Sequence, residues 1–163
     1  MNDIELQQLL HRQQISDVLI TYCNALDKMD LRAIEALFTD DCFVDYGPGK
    51  LFQSSGAAAL AKSLERMWRW SRTSHHLSNI QIDFVDTISA SAVSYVHAWH
   101  ERPDGTTATI LGQYHDELIC EDRGWRIARR RMVMNGCDAG FTVDINPFER
   151  FAPPDDWVAP DID

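Results

Sequence analysis

The apolar positions of the chain change their period once, near residue 72. Before it, Leu9, Ile15, Leu19, Tyr22 and Leu26, with Val18 and Ala25 beside them, recur at three- and four-residue steps and predict an amphipathic helix over residues 3–27. Lys28-Met29-Asp30 interrupts it, and Asp30 is placed to cap a second helix over 31–38 whose inner stripe is Ala33, Ile34, Leu37 and Phe38. Thr39-Asp40-Asp41 closes that helix, residues 42–46 read as a short strand ending at Gly47-Pro48-Gly49, and Ser54 or Ser55 caps a third helix over 56–70, rich in Ala and Leu.

After residue 72 the pattern alternates. Residues 73–85, 90–102, 106–121 and 125–135 are long runs of β-formers, and Pro103-Asp104-Gly105 and Asp122-Arg123-Gly124 are turn sequences between them. Three helices followed by a strand meander predict an α+β domain in which a curved antiparallel sheet wraps around helix and leaves a cavity between. The expected boundaries are a domain over 1–136 and an extended tail over 137–163. The tail's four prolines, with Phe148, Phe151 and Trp157, suit packing over the pocket mouth or a neighbouring subunit.

A chain of 163 residues is one domain, able to bury about two-thirds of its unfolded surface. Its net charge of −10 argues against nucleic acid or an anionic membrane as a partner. No apolar run approaches the roughly 20 residues of a membrane span, and Met1-Asn-Asp-Ile-Glu5 lacks the basic start of a signal peptide, so the expected location is cytoplasmic. Cys23, Cys42, Cys120 and Cys137 are scattered without a Cys-x-x-Cys pair, which fits reduced core residues better than a disulfide frame or a zinc site.

The candidate chemistry starts at His75 and His76, neighbours on one strand that must face opposite ways. A neutral imidazole turned into an apolar pocket is a proton acceptor near neutral pH. The bland reading of His75 is a core histidine with its hydrogen bonds met. Tyr22 sits on the apolar stripe of the first helix, either as a pocket donor or as a core tyrosine bonded to backbone. Arg130 shares strand parity with Ala128, Met132 and Met134, which fits Met132 and one arginine of the 129–131 run on a pocket wall; equally, some of these arginines fit an outer sheet face that pairs with acidic residues at a subunit interface. His97 and His100 split across strand faces, and no carboxylate joins them at ligand spacing, so no metal site is expected. Trp68, Trp70 and Trp99 read as pocket wall or core and not as a base-stacking platform, with Trp68 placed at the substrate.

The segments Tyr22-Cys-Asn-Ala-Leu-Asp27, Ala36-Leu-Phe-Thr-Asp-Asp-Cys-Phe-Val-Asp-Tyr46, Ser74-His-His-Leu-Ser-Asn79 and Gly124-Trp-Arg-Ile127, in this order, resemble the SnoaL-like branch of the nuclear transport factor 2 superfamily. Within it the chain is most similar to the hexachlorocyclohexane dehydrochlorinases, scytalone dehydratases and bile-acid 7α-dehydratases, cofactor-free lyases with a His–Asp pair in a cone-shaped pocket. The resemblance implies a cone-shaped α+β barrel with a curved antiparallel sheet, a catalytic His75, Asp27 as its carboxylate, Tyr22 and Tyr46 as pocket phenols, Arg130 as the pocket arginine, and no cofactor. An acidic residue of the bile-acid enzymes falls on Ala98, or its role passes to His97 or His100, which argues against a steroid-type substrate. The expected activity is a dehydratase-type β-elimination on a small hydrophobic cyclic or polyketide-like molecule. An isomerase or polyketide cyclase using the same pocket, and a non-catalytic ligand-binding protein, are the alternatives. The resemblance and the apolar tail also favour a homo-oligomer, a trimer over a dimer.

Overall fold

The computed structural model describes residues 2–140 and Trp157. Helix α1 runs Asp3–Asp27 and starts with a capping box, in which the Asn2 side chain accepts from the Glu5 backbone N–H and the Glu5 carboxylate accepts from that of Asn2, both at 2.9 Å. Its buried stripe is Ile15, Leu19, Tyr22, Cys23, Ala25 and Leu26. Leu9, expected on that stripe, is 56% exposed, because the burial of α1 begins only at Ile15.

Helix α2, Leu31–Ala36, is capped by Asp30 as the sequence suggested, the carboxylate accepting from Ala33 N–H at 3.0 Å. It stops before Leu37 because Phe38 already opens strand β1, Phe38–Asp45. Thr39 to Asp41 therefore belong to a strand and do not form a helix stop. The cause is tertiary: Phe38 is fully buried and pairs with Ile127, whose N–H donates to Leu37 C=O at 2.9 Å. A 3-10 turn, Lys50–Phe52, leads to the three-residue β2, Gln53–Ser55. Ser54 and Ser55 thus lie in a strand, and the residue before α3 (Ala57–Leu64) is Gly56, at φ +91°, where a left-handed backbone suits glycine. After Leu64 the chain tightens into a 3-10 turn, Glu65–Arg69, where a continuous helix to Trp70 was expected.

Four long strands follow: β3 Arg72–Phe84, β4 Ser89–Glu101, β5 Thr107–Glu121 and β6 Gly124–Ala139. The six strands form one sheet in the order β2-β1-β6-β5-β4-β3. Against the expectation of an antiparallel barrel, the sheet is mixed and open. The β1–β6 pair is parallel, because β1 returns along β6 after the helical segment, and among the described residues β2 and β3 are the edges.

Bulges bend the sheet around α1. In β3 the register slips between Ser78 and Gln81, with Asn79 at φ +50°. This one extra residue lets Leu77 before it and Ile80, Ile82 and Phe84 after it all pack on the core. In β6 one slip lies opposite Glu117/Leu118 and another opposite Leu111/Gly112. A Cβ on Gly112 would come within 2.6 Å of Val133 C=O, so only glycine fits that approach. Strand β6 carries the sheet past residue 136; the packing expected of the tail falls outside the described residues, of which Trp157 alone belongs to its distal part and is exposed. Among the described residues no helix is long and apolar enough to cross a membrane, and Cys23, Cys42, Cys120 and Cys137 are all free thiols.

Candidate active site

A cavity of about 410 Å³ opens between α1, the Glu65–Arg69 turn and the inner face of β4, β5 and β6, within the roughly 300–1,000 Å³ typical of small-molecule sites. His75 enters it from β3 with its side chain only 3% exposed. Its Nδ1 lies 2.6 Å from Asp27 Oδ1 at the end of α1, 48 positions away in sequence. The same carboxylate accepts the backbone N–H of His75 at Oδ2 (2.9 Å) and the Thr73 hydroxyl at Oδ1 (2.8 Å). Burial works to raise the Asp27 pKa, yet these hydrogen bonds and the nearby imidazole outweigh it and hold the carboxyl below its ordinary value. An ionised Asp27 places the proton on Nδ1 and leaves the Nε2 lone pair as the free acceptor. His76 points the other way and is exposed, as alternation requires.

The second group in the cavity is phenolic. Tyr22, from the buried stripe of α1, and Tyr46, just after β1, meet hydroxyl to hydroxyl at 2.6 Å. One donates to the other, so one hydrogen remains to be given elsewhere. Burial, reinforced at Tyr22 by the neighbouring phenols, raises both pKa values, and both stay protonated donors. Behind them lies Arg130. Its guanidinium carbon sits 4.2 Å from the ring centroids of both Tyr22 and Tyr114. Its Nε and Nη2 donate to the two Asp116 oxygens at 2.7 and 2.9 Å, with both side chains at 0% exposure. Arg130 is thus the inward arginine of its run, Arg129 and Arg131 being exposed. It pairs with Asp116, not with Asp27 or the cavity, and so supports the phenols from behind.

Tyr46, Ala98, His100 and Met132 line the cavity; Trp68 does not. The tight 3-10 turn rotates Trp68 outward to 60% exposure and brings Trp70 inward, where its ring lies 5.0 Å from that of His100. His100 in turn meets the His75 ring edge-on at 5.2 Å. Burial, and then the His75 charge, push the His100 pKa down to about 4, so this imidazole is neutral at ordinary pH. His97 is exposed on the opposite face, which splits the His97/His100 pair as expected. Among the described residues no three His, Cys, Asp or Glu side chains gather as a metal site.

Tyr114, Asp116, Thr73 and Arg66 are the site residues that sequence reasoning missed, whereas Trp70 lies on the pocket wall, one of the two places its reading allowed. For Asp116 a signal was present. Ile110, Tyr114, Asp116 and Leu118 share one strand parity, and a carboxylate on the inward face of a buried strand calls for a cation. Thr73 carried none beyond sitting two residues before His75.

The family model of the SnoaL-like domain matches residues 7–131. The chain belongs to the SnoaL-like family. A candidate scytalone dehydratase from Novosphingobium aromaticivorans superposes on this SnoaL-like chain with a TM-score of 0.81 at 32% identity, over 90% of this chain and 98% of that one. A candidate aromatic ring hydroxylase from the same organism gives 0.75 at 27% identity, over 80% and 94%. The hexachlorocyclohexane dehydrochlorinase of Novosphingobium barchaimii gives 0.75 at 18% identity, over 92% and 99%, a likeness of fold alone. Comparison with curated proteins finds no match. The SnoaL-like cone thus accounts for the architecture, and the function has to be argued from the side chains inside it.

Proposed function

We propose that this SnoaL-like protein is a lyase of the dehydratase type, eliminating water from a small hydrophobic hydroxylated cyclic or polyketide-like ketone. The reading is carried by the 2.6 Å contact of His75 with Asp27 inside an open cavity that also holds the Tyr22–Tyr46 pair. His75 Nε2 takes the proton from the carbon next to the substrate carbonyl. Asp27 holds the ring in the right tautomer and stabilises the imidazolium that forms. The spare hydrogen of the tyrosine pair is given to the carbonyl oxygen as it becomes an enolate. Collapse of the enolate forms the carbon–carbon double bond and breaks the carbon–oxygen bond of the neighbouring hydroxyl, which leaves as water with the proton from the imidazolium. Every proton in this sequence has a side chain to carry it, so the reaction asks for no cofactor. The scytalone dehydratase likeness at 32% identity supports the same chemistry. An open cavity with its imidazole and carboxylate in contact favours catalysis over a non-catalytic ligand-binding or structural role, for which a separated pair beside a filled hollow would speak.

The test is turnover of a panel of hydroxylated cyclic ketones followed by mass spectrometry. Wild type is expected to yield products lighter by one water, and His75→Ala to fold normally without turnover. Products of unchanged mass would indicate an isomerase using the same pocket. Turnover unaffected by His75→Ala would remove the base assignment.

A further inference from the structure

We propose that the cavity holds a second, anion-binding subsite at its solvent end, built on Arg66 and Arg69, and that the substrate carries a carboxylate there. The chain has 25 acidic against 15 basic residues, so an unselected patch of its surface holds more carboxylates than cations. The cavity wall inverts this: among the described residues it contains Arg66, Arg69 and Arg102 and no Asp or Glu.

Arg66 is held in place. Its Nη1 donates to Ser63 C=O at 2.7 Å and to Ser63 Oγ at 2.9 Å, and Ser63 Oγ also accepts the Ser54 hydroxyl at 3.0 Å. The guanidinium carbon lies 5.7 Å from the ring centroids of both Tyr46 and Phe52. This anchoring uses one nitrogen. The Nε and Nη2 edge, which grips a carboxylate through two parallel hydrogen bonds, has no partner among the described residues. Arg69 is brought alongside by its Nε–H donating to Arg66 C=O at 2.8 Å. Neither arginine pairs with a carboxylate among the described residues. Burial first, and then the charge of Arg69, lower the pKa of Arg66 against the opposing pull of Tyr46 and Tyr22. Arg66, half-buried, and Arg69, exposed beside it, repel each other until an anion joins them, and a bound carboxylate relieves that repulsion.

The choice of ketone as reacting group rests on the dehydratase reading; the subsite does not. A carboxylate acidifies its neighbouring C–H bonds poorly. It therefore serves as a handle, and the carbonyl at the tyrosines remains the activating group. The substrate class that follows is a hydroxylated cyclic ketone bearing a carboxylate away from the reacting carbons.

Isothermal titration of the full chain with 6-hydroxy-2-naphthoate and with 2-naphthol, at pH 7.5 and two salt concentrations, tests the subsite without turnover. Wild type is expected to bind the naphthoate roughly ten- to a hundredfold more tightly, with the preference shrinking in high salt. Arg66→Gln should lose the preference and Arg66→Lys keep part of it, while 2-naphthol binds all three alike. Equal affinity for both probes in wild type, affinity for neither, or tighter binding of 2-naphthyl phosphate than of the naphthoate overturns the proposal, whatever the folding of the variants. So does a preference that survives Arg66→Gln. A protein that shows the Arg66-dependent preference yet eliminates water from no ketone keeps the subsite and loses the dehydratase reading.

Discussion

Replacing Arg130 separates its two roles, holding the core together and setting the electrostatics of the tyrosine pair. The Arg130→Met variant leaves the Asp116 carboxylate at 0% exposure without the two hydrogen bonds of 2.7 and 2.9 Å that now neutralise it. Stranding one partner of a buried ion pair costs about 3–5 kcal/mol, a large share of the ~5–15 kcal/mol that stabilises a domain. At this chain length each kcal/mol moves the melting temperature by about 2–4 °C, so a drop of roughly 6–20 °C is expected. The double variant Asp116→Leu/Arg130→Met buries no charge, and replacing such a pair with apolar side chains is often neutral or better. Its stability should therefore return close to wild type, giving a coupling energy of several kcal/mol in urea unfolding followed by tryptophan fluorescence. Turnover should not return with it. The cation 4.2 Å from the Tyr22 ring is still missing, and the phenols have lost the group that biases their charge. If the single variant costs under about 1 kcal/mol, or if the double variant is as unstable as the two singles combined, the pair does not sustain the core. If the double variant keeps full kcat, Arg130 has no part in the chemistry.

Two other outcomes follow from the His75 side of the pocket. Asp27→Asn keeps the shape but replaces an ionised acceptor of three hydrogen bonds with an amide; kcat is expected to fall by about two to four orders of magnitude, a loss of charge and tautomer control. A loss under tenfold in single-turnover measurements would deny Asp27 that role. His100, at about 4 in the folded chain against an ordinary value of 6.5, takes up a proton in the unfolded state first. The stability that His100 contributes should therefore decline as the pH falls from about 6.5 to about 4 and level off below. His100 contributes on the order of 3 kcal/mol of that decline, and urea midpoints of His100→Phe should show a flatter slope over this window. An unchanged slope would mean that His100 titrates normally.

The long strands, the capped α2 and the facing of His75 were legible because each depends on local alternation or a local cap. What failed depends on pairing across the sheet. Leu37 and Phe38 read as helix by pattern, but Leu37 ends α2 and Phe38 is drawn into β1 by its pairing with Ile127 of β6. Trp68 is expected at the substrate on a helix continuing to Trp70, whereas the chain tightens there into a 3-10 turn of about three residues per turn that leaves Trp68 exposed.

The three arginines show most clearly why register escapes a single sequence. Counting from the Glu121↔Gly124 end of the last hairpin sets Leu118 opposite Ile127, and a regular ladder would then set Asp116 opposite Arg129. The extra residue at Ala128 moves Asp116 opposite Arg130. Ile127 and Arg130, of opposite parity by number, are consequently both buried, and Arg129 is turned to solvent. A bulge has no strong sequence mark, yet this one decides which cation enters the core. The slip in β3 works the same way, since Leu77 and Ile80 reach one core only across the extra residue. His75 shares the parity of Leu77, so the residue that bends the strand also lets a polar segment reach Asp27 while the apolar half of β3 stays packed. The site is therefore set less by which residues the chain contains than by where its strands carry one residue too many.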